Sequence, residues 1–304
     1  MSSPRPVYGF FLALLTSVLW GALPIFLKIC LEAMDASTIT SVRFLVAALI
    51  VACILLSRKQ FPKKVLFSRK SLGWMLFAAI MLVLNYVTNV MGLAYLNPET
   101  VQVVMQLAPF LLMLGGVLIF KESFTRFQFV GAGVLLIGMA LFFNQRLQSI
   151  SQSATEDTIG MFIIIFAATA WAIYALAQKP LLKTFAPQQL TLLMYSCGFV
   201  LLLPLTDFTS VIEVNQLQFW ALVFCCLNTV IAYGAFTEAM QVWSASKVSA
   251  VIATAPIFTY ISMGIAIAIA PEQFAHSALD DLAYVGAIMV IMGSIMTSLG
   301  KKSR

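Results

Sequence analysis

Charged side chains are scarce in this chain: Asp, Glu, Lys and Arg make up 10% of its 304 residues, against about a quarter in soluble domains. That scarcity excludes an ordinary globular domain in water. Histidine occurs once, at His276, in a loop between apolar runs where it reads as solvated. Cys30, Cys53, Cys197, Cys225 and Cys226 lie in or beside apolar runs, without metal-ligand spacing or a secreted framework. They read as small apolar residues, and no metal or other cofactor is expected. No Asn-x-Ser/Thr acceptor occurs, which removes support for an extracellular eukaryotic surface and leaves a bacterial inner (plasma) membrane as the expected location. An enzyme needs a nucleophile, a metal cluster or paired carboxylates facing a cavity, and none is visible.

What the chain has is apolar length. Hydrophobic residues make up 61% of it, and the mean hydropathy is +0.97. Runs of about 20 residues are readable at roughly 8–27, 38–57, 71–93, 100–119, 126–144, 159–178, 188–206, 217–237, 248–269 and 281–299. The expectation is an all-α, multi-pass membrane protein of ten transmembrane helices. The first run resembles a signal peptide but is long, and no small-x-small cleavage site precedes Lys28. It is expected to stay as a membrane helix.

The net charge of +6 suggests nucleic acid as a partner until the charges are placed. With the N-terminus inside, fifteen of the eighteen basic residues fall on inner segments, among them Arg58, Lys59, Arg69, Lys121, Lys183 and Lys301. The opposite segments hold Glu32, Asp35, Glu99, Glu156, Asp157, Asp207, Glu213, Glu272, Asp280 and Asp281, with only Lys28 and Arg146 of positive sign. This sorting follows the positive-inside rule, predicts both termini in the cytoplasm, and removes the argument for nucleic acid.

The two halves carry matching marks. Leu107-Ala108-Pro109-Phe110 recurs as Thr254-Ala255-Pro256-Ile257, Gly131-x6-Gly138 as Gly286-x6-Gly293, and Trp20 as Trp171. Lys121-Glu122 is echoed by Pro271-Glu272. Constant order at an offset of about 150 residues is the mark of a duplication. A unit of five helices is odd, so its second copy inserts inverted. The expected division is a first repeat at 1–145, an outer linker at 146–158 and a second repeat at 159–304.

On these marks the chain resembles the EamA type of the drug/metabolite transporter superfamily over its whole length. Further matching stretches are Trp20-Gly21-x2-Pro24, Arg43-Phe44 and Gly92-Leu93-x-Tyr95. It is also similar to an uncharacterised enterobacterial inner-membrane member of that family in Gly21-Ala22-Leu23-Pro24-Ile25 and Cys226-Leu227-Asn228-Thr229. The chain departs from the pattern at Met194, which stands where a copy of Arg43 would fall, and at Pro271. The resemblance implies a basket of helices around a central cavity, lined mainly by the first, third, fourth, sixth, eighth and ninth helices, that exports small metabolites.

Polar faces on those helices are the candidate lining. Trp20 and Pro24 lie on the first, Asn85, Tyr86 and Asn89 on the third, and Gln102 and Gln106 on the fourth. Trp171, Tyr174 and Gln178 lie on the sixth, Asn228 and Tyr233 on the eighth, and Ser249 on the ninth. Interhelical hydrogen bonding accounts for any one of them equally well, whereas the set as a whole favours a cavity. Pro109 and Pro256 are expected to be hinges or static kinks. The paired glycines are expected at a close seam between repeats.

All twelve carboxylates sit at or near span ends, so proton/organic-cation antiport through a membrane glutamate is disfavoured. A neutral, zwitterionic or weakly anionic solute fits better. Arg43 is the one charge clearly inside a span; snorkelling, an outward pair and a substrate-anion role are its readings. The leading function is a carrier exporting amino acids or similar solutes by alternating access, working as a monomer whose partners are a small-molecule substrate and membrane lipid. The alternatives are a multidrug, sugar-phosphate or nucleotide-type carrier of the same superfamily, or a passive channel.

Overall fold

A computed structural model describes residues 6–62, 68–120, 125–142, 156–242, 248, 251–272, 274 and 280–298. Among them every regular element is helical. In chain order the helices are α1 (Pro6–Cys30), α2 (Ala36–Ser57), α3 (Arg69–Tyr95), α4 (Pro98–Val104), α5 (Leu107–Phe120) and α6 (Arg126–Phe142), then α7 (Glu156–Leu181), α8 (Pro187–Leu202), the short α9 (Phe208–Ile212), α10 (Gln216–Val242), α11 (Ala255–Ile269) and α12 (Asp281–Ser298).

Six of these are long and apolar enough to cross a hydrocarbon layer: Val7–Cys30, Ala36–Ser57, Arg69–Tyr95, Glu156–Leu181, Pro187–Leu205 and Gln216–Ala239. Arg126–Phe142, Ala255–Ile269 and Asp281–Met296 are shorter apolar helices. Phe11, Leu49, Phe129, Val200, Ile269 and Ile288 lie exposed on the outside of the bundle. So broad an apolar surface is stable only against lipid. Several of the described turns between helices are short and chemically marked. Asp35 Oδ1 accepts from Ser37 N at 2.7 Å and Thr38 N at 2.9 Å, starting α2. Pro98 and Pro187 open α4 and α8, where no helical N–H is required.

The expected fourth and ninth spans are not continuous. The chain breaks at Met105-Gln106 between α4 and α5, and at Ala253-Thr254 before α11. Each break lies about one turn before a proline, because the proline ring clashes with the carbonyl four residues earlier, at Met105 for Pro109 and Ile252 for Pro256. Tighter bonds bridge the gaps: Ala108 N donates to Met105 O at 2.9 Å, and Thr254 N to Val251 O at 3.0 Å.

The helices pair as α1 with α10, α3 with α7, α2 with α8 and α6 with α12. Further contacts join α1 to α11, α5 to α7, α2 to α10 and α3 to α8. Exchanging α1 with α7, α2 with α8, α3 with α10, α5 with α11 and α6 with α12 maps this set of pairs onto itself. The glycines lie at the self-paired seam of α6 and α12. A Cβ on Gly138 would fall 2.7 Å from Val290 N and 2.8 Å from Gly286 O, so the two backbones touch there.

Candidate functional site

The site is built around α1, because Pro24 leaves a gap in its hydrogen bonding. Residue 24 has no N–H, so the Trp20 carbonyl four residues earlier lacks its helical donor. Gln102 Nε2 supplies one at 3.0 Å. The neighbouring carbonyls are also taken from outside α1: Asn228 Nδ2 donates to Leu19 O at 2.6 Å, and Thr259 Oγ1 to Gly21 O at 2.9 Å. Three successive carbonyls of α1 are thereby tied to α10, α4 and α11. Gly21 sits where α1 meets α11, and a Cβ there would lie 2.8 Å from Ala255 O.

Between these ties, at mid-bundle, lies a cavity of about 170 Å³. Trp20, Leu23 and Pro24 of α1 line it together with Asn85, Tyr86 and Asn89 of α3. The first helix break contributes Gln102, Met105, Gln106, Ala108, Pro109 and Leu112, and the second contributes Ile252 and Ala255. Arg43, Trp171, Tyr233 and Phe236 complete the wall. Irregular backbone at membrane depth is tolerated where it faces such a space, and here both breaks do.

The polar groups in the wall differ in how far they are committed. Asn85 is buried and its Nδ2 donates to Ala167 O of α7 at 2.9 Å. Ser294 Oγ donates to Gln106 Oε1 at 3.1 Å. Asn89 makes no hydrogen bond to any described residue. Arg43 is 2% exposed; its Nε donates to Thr229 Oγ1 at 3.0 Å, and its Cζ lies 4.7 Å from the Tyr86 ring centroid. The Thr229 hydroxyl itself donates to Cys225 O at 2.8 Å, which leaves its lone pairs for the guanidinium. Far from snorkelling, Arg43 reaches inward to the middle of α10.

Aromatic rings floor the cavity. Tyr233 lies 5.1 Å from Trp20 and 5.9 Å from Tyr86, centroid to centroid, and Phe236 lies 5.5 Å from Trp20. Beyond this floor is a second pocket of about 10 Å³, room for one water, lined by Tyr174, Gln178, Thr191, Met194, Tyr195 and Thr237 with the same Tyr233 and Phe236. Its Gln178 and Thr191 lie beside the turn between α7 and α8. Gln189 Nε2 donates to Gln60 O at 2.8 Å, which puts that turn at the end of the bundle where α2 finishes. The large cavity reaches toward the opposite end through Pro24 and Gln102.

Of the residues expected to line one cavity, Trp20, Pro24, Asn85, Tyr86, Asn89, Gln102, Gln106, Trp171 and Tyr233 meet in it. Tyr174 and Gln178 do not; they line the small second pocket, one to two turns further along α7 than Trp171. Asn228 is fully buried, and its place is among packing bonds, clamped on Leu19 O. Ser249 lies outside the described residues. Pro109 lines the cavity, while Pro256 is buried in the first turn of α11 and only its neighbour Ala255 reaches the lining. Among the described residues no group of three His, Cys, Asp or Glu side chains is assembled to hold a metal ion.

Compared with known proteins, residues 7–144 and 158–299 each match the model of the EamA-like transporter family. The chain belongs to that family. It is 37% identical over 299 residues to a transporter of Haemophilus influenzae, covering 98% of this chain and 97% of that one. It is likewise 37% identical over 297 residues to the inner membrane transporter YhbE of Escherichia coli K12, covering 97% and 92%. Both relatives are named uncharacterized. A solved crystal structure superposes with a TM-score of 0.67 at 16% identity, covering 96% of this chain and 97% of its own, a likeness of fold. The protein is therefore an inner-membrane transporter, and its family is one of transporters rather than enzymes.

Arg43, which the sequence leaves between snorkelling, an outward pair and a substrate-anion role, joins the lining, and Leu23, Met105, Leu112, Phe236 and Ile252 carry no sequence signal for it. Apolar lining in a membrane protein is indistinguishable from apolar packing by residue type. A charge one and a half turns inside a span was the available clue for Arg43.

Proposed function

We propose that this chain is a secondary carrier that exports small metabolites, amino acids and similar neutral or zwitterionic solutes foremost, by alternating access. The observation that supports this is the relation between the two pockets. Arg43 of the large cavity has Met194 of the small pocket at an offset of 151 residues, while Tyr233 and Phe236, at an offset of 147 from Tyr86 and Asn89, wall both spaces. The spaces on either side of this shared floor measure about 170 Å³ toward one end and about 10 Å³ toward the other. Rocking the halves to exchange the open and shut stations moves a solute past the aromatic floor without opening a continuous pore.

In this reading the chain crosses the membrane ten times as two inverted repeats, 1–145 and 159–304, joined by an outer linker at 146–158, with both termini in the cytoplasm. The monomer is the working unit, in contact with lipid and a small solute and with no nucleic acid. A cavity of about 170 Å³ is below the roughly 300–1,000 Å³ typical of drug-sized sites, which favours metabolites over a multidrug role. The aromatic floor disfavours a passive channel. The test is counterflow: purified protein in liposomes preloaded with an unlabelled amino acid is expected to accumulate the labelled one transiently. Flux that never saturates and shows no counterflow would return the protein to the channel reading.

A further inference from the structure

The lining of the large cavity carries one formal charge among its described residues, and it is positive. Arg43 stands there with Thr229 Oγ1 on its Nε and the Tyr86 ring against its face. No described carboxylate pairs with it, and the N–H bonds of its two Nη atoms meet no acceptor among the described residues. Burying a lone cation at membrane depth is strongly unfavourable unless a counter-charge or water compensates it. The molecule also contains its own control. At the matching station of the second half stands Met194, buried in the same pairing of α2 with α8. The second half thus fills its station with an apolar side chain, and only the first half buries a charge there.

We propose that Arg43 is the anchor for a carboxylate on the transported solute. This rests on the carrier reading of the cavity and narrows it to one substrate class: small amphiphilic carboxylates. The planar guanidinium holds a carboxylate through two parallel bonds, with Tyr86 and Thr229 fixing its plane and Asn89 free to bond a further polar group. The remainder of such a solute lies against Trp20, Trp171, Leu23 and Leu112. A single guanidinium balances a single negative charge. A phosphate ester, at about −1.5 to −2, would keep a surplus that no second cation among the described lining residues meets, which favours a monocarboxylate over sugar phosphates and nucleotides.

The test uses the purified full-length protein and matched acid–amide pairs: leucine with leucinamide, phenylalanine with phenylalaninamide, and 3-phenylpropionate with its amide. Binding is read by thermal shift and by intrinsic tryptophan fluorescence, and transport by counterflow. The wild type is expected to favour at least one acid over its amide by about tenfold or more, as the loss of a charge-assisted pair implies. Arg43→Gln is expected to bind the two members of that pair equally, and Arg43→Lys to keep part of the preference. Because the acid–amide comparison is made first on the wild type, a variant that misfolds does not leave the question open. Equal binding of acid and amide by the wild type, an undiminished preference in Arg43→Gln, or binding of none of these acids overturns the proposal. Counterflow of an uncharged solute alongside any of those results would leave the carrier reading standing, whereas absence of all counterflow removes that reading too.

Discussion

Gln102 donates its side-chain amide, at 3.0 Å, to the Trp20 carbonyl, whose helical partner is missing because residue 24 is proline. The donor comes from α4, just before the first helix break, so one bond repairs α1 and fixes the break beside it. In hydrocarbon a carbonyl has no water to fall back on.

A double-mutant cycle tests that repair. Gln102→Leu is expected to destabilise the purified protein by about 1–2 kcal/mol, read as a lowered melting midpoint in detergent. Pro24→Ala restores the missing N–H, so Gln102→Leu in that background is expected to cost less than half as much. Additive effects of the two substitutions would show that the bond carries no such role.

The seam of α6 and α12 gives a second expectation. Gly138→Ala places a methyl 2.7 Å from Val290 N and 2.8 Å from Gly286 O, both backbone atoms that cannot swing aside. It is expected to cost about 1–3 kcal/mol or to shift the protein to aggregates on size-exclusion chromatography. Gly133→Ala, about one and a half turns away with nothing within 4 Å, is expected to be neutral or to stabilise slightly, since alanine is the better helix former. Equal behaviour of the two alanines would place the seam elsewhere.

How far the sequence revealed this structure depended on what each feature looks like in one dimension. The glycine pairs announced the α6–α12 seam because small residues at fixed spacing have few other uses in a membrane helix. Pro109 and Pro256 point to a freed carbonyl and a bend about one turn upstream, and what they do not reveal is that the disturbance divides each span into separate helices. Asn85 and Asn228 looked alike as polar residues on cavity helices. Both are clamps on a neighbouring helix carbonyl, and only Asn85 also borders the cavity, a difference of helix rotation that residue type does not encode. The contrast of Arg43 with Met194 was visible in the repeat, whereas the guanidinium's inward direction depended on Thr229 of a distant helix.

That distinction separates recognition from packing in a third expectation. Trp171→Ala, which opens the cavity wall, is expected to lower counterflow at least about tenfold while the melting midpoint stays within a few degrees. Asn228→Ala, which does not reach the cavity, is expected to lower the melting midpoint and to leave the apparent affinity for a transported solute unchanged. A reversed pattern would move Asn228 into the recognition site.

The proposed orientation is open to chemical labelling. Gln60 and Glu213 are both exposed and lie at turns at opposite ends of the bundle. In a cysteine-free background, a membrane-impermeant maleimide added to intact cells is expected to modify Glu213→Cys and to spare Gln60→Cys until the membrane is permeabilised. Labelling of Gln60→Cys first would invert the assignment of both termini.

The Trp20 carbonyl also constrains how this sequence can drift. Pro24 and Gln102 lie on different helices and touch through a main-chain atom, so neither reveals the other by chemical kind. If Pro24 is replaced first, the carbonyl regains its own donor and Gln102 becomes free to change. If Gln102 is replaced first, every intermediate sequence carries an unanswered carbonyl within the membrane. The order of substitution, and not only the pair of residues, is written into the kink of α1.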